Sequence, residues 1–337
     1  MIKYNEWGEH LRLGNWLFLY AGLSSISKQS NNGLIFPEHF MWNYFDKPPF
    51  TTNNKEYEEL FHFKSEPYTE KLKREYIEYF SRNKDKIINV NLGSHLQSEK
   101  WFIEDVDYIK SILQIRQENI NLVKEKYKHF FNKPTIGVGI RRGDFVNHGV
   151  FYQIPEYWYE KALKKEFSNW QDYNVIIFSD DIEWCKEYFK NTNFMFAEPN
   201  NTHLHTDKFK HYHKDPMEQF ILSTLMDNYI LGSSTFSWWA GWYVKNFNSG
   251  KVIHCGKNLS IKGEKEFGIN NDYYPKNWVL NEVKRNKNKK YRRESRYYLC
   301  PLCSTYHLTS QEEYFEKEII PFDELLYKEE WKRLMDV

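Results

Sequence analysis

The stretch Ile136-Gly137-Val138-Gly139-Ile140-Arg141-Arg142-Gly143-Asp144-Phe145 decides the fold. A short apolar β-run ends there in two arginines, a glycine and an aspartate. In an α/β protein, ligands bind at the C-terminal ends of the strands. Two guanidiniums are costly to hold together at such a place unless an anion lies between them. An arginine fork matches phosphate oxygens in bidentate fashion. The stretch therefore predicts a diphosphate-bearing ligand gripped by Arg141 or Arg142. A mere surface ion-pair cluster fits poorly with a position directly after a buried-type strand.

Outward from this run the pattern is regular. Thr135–Ile140, Asn174–Phe178, Phe194–Ala197, Tyr229–Leu231 and Lys251–His254 read as strands. Between them lie helical stretches from Pro155 to about Phe167, from Ser179-Asp180-Asp181 onward, over Pro216–Leu225 and over Phe236–Lys245. Pro155 is tolerated in a first helical turn. Strands alternating with helices of this length imply a parallel sheet covered on its faces. Upstream, Leu13 to about Ser27 reads as a helix with Trp16, Leu17, Tyr20 and Leu23 on its apolar side. Ile88–Leu92 reads as a strand, and Asp105 to about Phe130 as one helix ended by Pro134. From about Asn281 the character changes to a basic linker (Lys284, Arg285, Lys287, Lys289, Lys290, Arg292, Arg293, Arg296). Cys300-Pro301-Leu302-Cys303 and a charged end expected to be helical follow it. The expected domains are 1–132, 133–280 and an appendage over 281–337.

Four further features carry chemistry. Phe178-Ser179-Asp180-Asp181 follows a buried strand. Ser179 or Asp180 suits a helix N-cap, whose oxygen accepts from first-turn amides. Either the pair serves capping alone, or capping accounts for one acidic residue and a ribose or sugar hydroxyl for the second. Gly232-Ser233-Ser234-Thr235-Phe236 runs from a strand into a helix whose positive end suits a phosphate, with Ser234 and Thr235 adding hydroxyls. The segment lacks the Gly-Lys-Ser/Thr ending of a Walker loop. Trp238, Trp239 and Trp242 read as core. Glu218, on the preceding helix, either faces solvent or accepts from a guanine edge. Near the N-terminus, Gly14-Asn15 opens a helix where glycine permits close backbone approach.

Composition sets the remaining bounds. The 337 residues carry 47 basic and 46 acidic side chains, a net charge of +1, which excludes a general polyanion binder; no nucleic-acid partner is expected. Aromatics reach 18%, through either sugar-stacking surfaces or compositional bias. No segment approaches the roughly 20 apolar residues of a membrane span. The first residues hold no apolar signal core. Four cysteines (Cys185, Cys255, Cys300, Cys303) are too few for a disulfide framework, so a reducing, cytoplasmic location is the expectation. Cys300 and Cys303 with His307 form half of a zinc set at most. A site shared across a dimer, or His203, His205, His211 or His213 contributing from afar, would have to complete it. No metal is expected at the main site.

Taken in order, the motifs resemble those of inverting α1,2-fucosyltransferases, which are family-11-like glycosyltransferases. The matching pieces are Leu-Gly-Asn-x-Leu-Phe-x-Tyr-Ala over Leu13–Ala21, the Arg141-Arg142-Gly143-Asp144 turn, Phe178–Asp181, and Ser234-Thr235-Phe236-Ser237-Trp238-Trp239. The resemblance spans about residues 10 to 255 and extends to GDP-fucose-dependent α1,6- and protein O-fucosyltransferases. It implies a GT-B-type α/β fold of two facing Rossmann-like domains with parallel sheets, needing no metal or other cofactor. It implies a GDP-fucose donor and a glycan acceptor. By the same resemblance Arg141 binds the donor β-phosphate, and Arg142 is its structural or acceptor-side neighbour. Ser234, Thr235 and Phe236 form the donor-binding turn. Glu218 stands where the family has a guanine-reading aspartate, Asp180 and Asp181 lie near the nucleoside, and Gly14 and Asn15 fall in a loop facing the cleft. Asp144 and His148, on the arginine loop, are the candidate general bases. Three positions depart from the pattern: Gly139 replaces a histidine, Ser233 an asparagine and Trp16 a glutamine. They leave open another GDP- or UDP-linked sugar, or a non-catalytic carbohydrate-binding protein on the same fold. The acceptor and the oligomeric state are not legible.

Overall fold

Thr135–Ile140 is a strand buried along its whole length in the computed structural model of the chain. The structure describes residues 1–5, 12–52, 54–64, 68–92, 95–146, 149–190, 192–198, 216–268, 271–283, 297–299, 306–308 and 319–320. The chain forms two compact units. The first holds Met1–Lys126 and Phe267–Trp278, the second Tyr127–Glu266 and Val279–Val337.

The first unit contains β1 (Ile2–Lys3), α1 (Leu13–Gln29), β2 (Leu34–Phe36), β3 (Phe50–Thr51), β4 (Glu59–Phe63), α2 (Glu70–Arg82), β5 (Ile88–Leu92), α3 (Val106–Ile112) and α4 (Gln117–Lys126). Its strands pair in parallel in the order β3-β2-β1-β5-β4. Helix α1 is buried on nearly every side, because Trp16, Leu17, Phe18, Leu19, Tyr20, Leu23 and Ile26 leave it no polar face. Its rings join an aromatic cluster of Tyr20, Phe36 and Trp42. By contrast α2 is two-faced. The Thr69 hydroxyl caps it, accepting from the Leu72 amide at 3.1 Å, and only Leu72, Lys73, Tyr76 and Phe80 face inward. Residues 267–278 are tied to this unit by Ser98 Oγ, which donates to the Asp272 carbonyl at 2.9 Å, and by a Lys100–Asp272 ion pair at 2.7 Å.

The second unit contains β6 (Thr135–Ile140), α5 (Glu156–Glu166), β7 (Asn174–Ser179), α6 (Ile182–Tyr188), β8 (Met195–Phe196), α7 (Met217–Thr224), β9 (Asn228–Ile230), α8 (Thr235–Phe247), β10 (Val252–His254), α9 (Ile261–Phe267) and β11 (Val279–Leu280). The boundary with the first unit falls at the last residue of α9. The sheet order is β11-β10-β9-β6-β7-β8, every pair parallel. Counted within the unit, the order runs outward from β6 in both directions. This is the doubly wound arrangement whose ligand crevice lies where the direction reverses. Here the reversal falls between β6 and β9. One face of the sheet packs Ile136, Val138 and Ile140 with Ile177 and Ile230 against Trp158, Leu163, Ile182 and Phe189. The other face lies under Tyr229 and α8, whose Trp238, Trp239 and Trp242 are fully buried, in line with their core reading. Last come β12 (Tyr297–Leu299), β13 (Tyr306–Leu308) and β14 (Ile319–Ile320), an antiparallel sheet in the order β13-β12-β14.

The two-unit, parallel-sheet α/β construction matches the expected fold class, and β6 to β10 fall within a residue or two of their expected bounds, while β11 is a strand the sequence reading does not foresee. Two expectations are corrected. The helix expected over 105–130 is broken, because residues 114–116 pair with residues 44–46. The Asp46 amide donates to the Gln114 carbonyl, and the Arg116 amide to the Tyr44 carbonyl, each at 2.9 Å. Tertiary backbone bonds override local helix preference there. In the charged end after Cys303, expected to be helical, the described residues 306–308 and 319–320 are strands, and the rest of that end lies outside the described residues.

Candidate functional site

The reversal point of the second sheet is closed up by glycines. A Cβ on Gly232, just past β9, would lie 2.6 Å from the Gly139 carbonyl oxygen and 3.4 Å from the Arg141 amide nitrogen. A Cβ on Gly139 would lie 2.3 Å from Ser237 Oγ and 3.1 Å from the Tyr229 hydroxyl. Without side chains at these two positions, the first turn of α8 sits directly against the end of β6. Ser237 Oγ accepts from the Gly232 amide at 2.8 Å. Ser234 is the N-cap of α8, its hydroxyl oxygen accepting from the Ser237 amide at 3.2 Å. The amides of Thr235 and Phe236 precede the helix's own hydrogen-bond ladder and form its positive end. No acidic residue occupies that first turn. Ser234, Thr235 and Phe236 are half-buried, whereas Ser237 to Val244 are buried. The amide-bearing edge of the helix is therefore open, and it is a neighbour of Arg141.

The two arginines have different surroundings. Arg141 pairs through Nη1 with Asp180 Oδ2 at 3.0 Å and lies 5.2 Å from the Phe145 ring centre. Phe145 is backed by Phe151 in a parallel stack at 4.2 Å. Arg142 is buried. Its Nε donates to Asp181 Oδ2 at 3.2 Å, its Nη1 donates to Glu156 Oε1 at 3.1 Å, and its guanidinium carbon lies 3.4 Å from the centre of the Trp184 indole. The Arg142 amide donates to Asp180 Oδ1 at 2.9 Å, so one Asp180 carboxylate holds both residues. The Arg141 carbonyl accepts from Gln153 Nε2 at 3.3 Å.

These contacts correct the capping expectation. Asp181, rather than Ser179 or Asp180, occupies the N-cap position of α6, and its side chain makes no capping bond. Ser179 Oγ accepts from the Asp181 amide at 3.0 Å. Both aspartates turn to the arginines instead of the first turn of α6, Asp181 to the Arg142 guanidinium and Asp180 to the Arg141 guanidinium and the Arg142 amide.

Glu218 lies in the first turn of α7. The next residue, Gln219, donates through Nε2 to the Ala197 carbonyl just past β8 at 2.9 Å, and Phe220 meets Phe236 at 5.5 Å between ring centres. These contacts put the start of α7 at the ligand-facing edge of the sheet. Glu218 Oε1 accepts from the Tyr127 hydroxyl at 2.7 Å. Burial, then this carboxylate, push the Tyr127 hydroxyl well above its ordinary range. In the first unit, Gly14 and Asn15 lie in the first turn of α1. Asn15 Oδ1 accepts from Gln97 Nε2 at 3.0 Å. Asp144 stands in a 3₁₀ turn, Gly143–Phe145, closed by the Phe145 and Val146 amides donating to the Arg142 carbonyl. His148, Cys300 and Cys303 lie outside the described residues, and His307 sits in β13. The buried thiols of Cys185 and Cys255 are each pushed up to about 12, chiefly by burial. Among the described residues, no set of three His, Cys, Asp or Glu side chains is placed to hold a metal ion, and no helix is long and apolar enough to cross a membrane.

Sequence reasoning missed Glu156, Trp184, Phe145, Phe151 and Gln153. Glu156 and Trp184 lie 14 and 42 positions beyond Arg142, and no periodicity links such distances. Only the β6–β7 pairing brings them together.

Comparison with known proteins then gives the following. The model of Glycosyl transferase family 11 matches residues 43–282. An alpha-1,2-colitosyltransferase of Escherichia coli is 30% identical over 162 residues, covering 47% of this chain and 52% of that protein. The O-antigen biosynthesis glycosyltransferase WbnK of Escherichia coli is 28% identical over 162 residues, covering 45% and 49%. The chain thus spans about half the length of the curated relatives it matches. Among solved structures it is similar to POFUT1 in complex with GDP-fucose, with a TM-score of 0.50 at 10% identity over 74% of this chain and 95% of that one. It is also similar to apo POFUT1, with a TM-score of 0.51 at 11% identity over 75% and 97%. At such identities these two support the fold.

Proposed function

The chain belongs to glycosyl transferase family 11, and from that premise we propose an inverting, metal-independent transfer of fucose from GDP-fucose to a glycan hydroxyl, forming an α1,2 linkage. The observation that carries this reading is the close approach of Gly232 to Gly139 and Arg141. It brings the backbone of Arg141 and the positive end of α8 to one sheet reversal.

Inverting transfer is an in-line attack on the anomeric carbon through an oxocarbenium-like transition state. The leaving diphosphate gains negative charge as the glycosidic bond breaks. Arg141 and the Thr235 and Phe236 amides meet that charge with fixed dipoles that need little reorganisation. The Ser234 and Thr235 hydroxyls add donors at the same edge. Glu218, at the same sheet edge, is assigned to the guanine. The acceptor proton is assigned to the turn after Arg142, to Asp144 or His148. Gly14 and Asn15 are assigned to the donor by the family pattern.

The linkage follows the α-1,2-colitosyltransferase relative. That relative also favours a second reading, in which colitose is transferred from its nucleotide donor by the same machinery. Gly139 bears on this choice. Its missing side chain is explained by the packing of Ser237 and Tyr229, and it removes the histidine that the family pattern has there. A panel of labelled sugar nucleotides with simple glycan acceptors, with product linkage read by NMR, tests both readings. Transfer from GDP-fucose with an α1,2 product is expected. Turnover of the colitosyl donor alone selects the second reading. Donor binding without turnover of any sugar overturns both.

A further inference from the structure

Arg142 is the most tightly held charge near the candidate site, and nothing in the proposed transfer requires it to touch the donor. Its side chain is 8% exposed, against 17% for Arg141. Three elements converge on it, β6, α5 and α6. The end of β6 carries it, Asp181 holds it from the start of α6, Glu156 holds it from the first turn of α5, and the Trp184 ring lies flat against it. Trp184 in turn stacks on Tyr188 at 4.9 Å between ring centres, with planes 18° apart. A planar guanidinium stacked on indole and forked to two carboxylates has few orientations left. Because Asp180 bonds both the Arg142 amide and the Arg141 guanidinium, fixing Arg142 fixes where Arg141 points.

We propose that Glu156 and Trp184, through Arg142, form a positioning clamp that aims Arg141 at the second phosphate of the donor. Neither residue touches the donor. Their effect is on discrimination, since a guanidinium displaced by about 1 Å loses its bidentate geometry before it loses its charge. The proposal rests on the reading that Arg141 binds the diphosphate. It differs from a packing role in what it predicts. Loosened packing weakens all ligands alike, whereas a misaimed Arg141 weakens only ligands that carry the second phosphate.

The test is calorimetric titration of the full chain with GDP and with GMP. The wild-type protein is expected to bind GDP about tenfold or more tightly than GMP, and Arg141→Ala to erase that preference. Trp184→Leu and Glu156→Gln are expected to lower the ratio several-fold while GMP affinity holds. Trp184→Phe, which restores a stacking ring, is expected to recover it. Glu156→Gln is isosteric and suffices by itself should Trp184→Leu not fold. Variants that keep the wild-type ratio, or that lose GDP and GMP affinity equally, overturn the clamp. A wild-type protein that binds GMP as tightly as GDP overturns instead the diphosphate role of Arg141, and the clamp with it.

Discussion

Both parallel sheets reverse direction, but their reversal points are built differently. In the first unit the reversal lies between β1 and β5. There the loop after β5 reaches α1 through a neutral amide pair, Gln97 to Asn15. In the second unit it lies between β6 and β9, and the backbone at Gly232 comes up against the Gly139 carbonyl. The charged bridge of the second unit, Arg141 to Asp180, is made on the other flank, toward β7. A reversal spanned by side chains is a filled one. On the proposed function, anchoring the guanidinium from the far flank leaves the β9 side, with the α8 amides, to the donor diphosphate. One architecture thus yields a neutral reversal and a cationic one, and the difference lies in which neighbour the bridging side chain chooses.

The largest effect belongs to the cationic reversal. Arg141→Ala is expected to lower kcat about 10² to 10³-fold, the scale of losing one donor to developing negative charge, with thermal stability unchanged. Steady-state kinetics and a melting curve check it together. A variant keeping more than about a tenth of wild-type turnover removes Arg141 from the mechanism. Next comes Gly139→Ala, which forces a methyl into the space of Ser237 Oγ and is expected to cost about 1–3 kcal/mol of stability in chemical denaturation. Wild-type stability in that variant would mean that the helix start is not seated against β6.

How much of this is legible in the sequence follows from the length of the signals. The strands of the second unit are framed by helices long enough to show periodicity, so their order is readable, as is the buried character of the α8 tryptophans. The first unit escapes such reading apart from α1 and β5, because β1, β2 and β3 have two or three residues each, too few for alternation. The reversal point itself is half legible. A run ending in Arg141-Arg142 flags charge, but nothing local says that the second arginine is walled in by Glu156 and Trp184. Likewise Gly139 reads as a departure from a motif, while its cause, Ser237 and Tyr229, sits 90 or more positions downstream.

Acid is a third probe, and it acts on the second unit. His254 ends β10, and burial lowers its imidazole from 6.5 to about 4. Its Nδ1 accepts from the Gly256 amide at 3.2 Å, as a neutral ring can. Between those two values the unfolded chain binds a proton that the folded chain refuses, so stability falls as pH drops through this window. At pH 5.5 the loss from this group is about 1 kcal/mol relative to pH 7.5. Denaturation at both pH values is expected to show that loss in the wild type and not in His254→Asn. An equal slope in the two proteins would put the acid sensitivity elsewhere.

The smallest effect sharpens the comparison most. Gln97→Ala removes one neutral hydrogen bond from the first reversal and is expected to cost about 1 kcal/mol of stability in chemical denaturation. Salt separates the two reversals. An interaction between a guanidinium and a diphosphate weakens as ionic strength rises, whereas an amide–amide bond does not respond. The donor KM of the wild type should therefore climb with added salt and that of Arg141→Ala lie nearly flat, while the stability loss in Gln97→Ala should be the same at low and at high salt. If the loss in Gln97→Ala instead shrinks as salt rises, the first reversal carries charge of its own, and the division between a neutral and a cationic reversal fails.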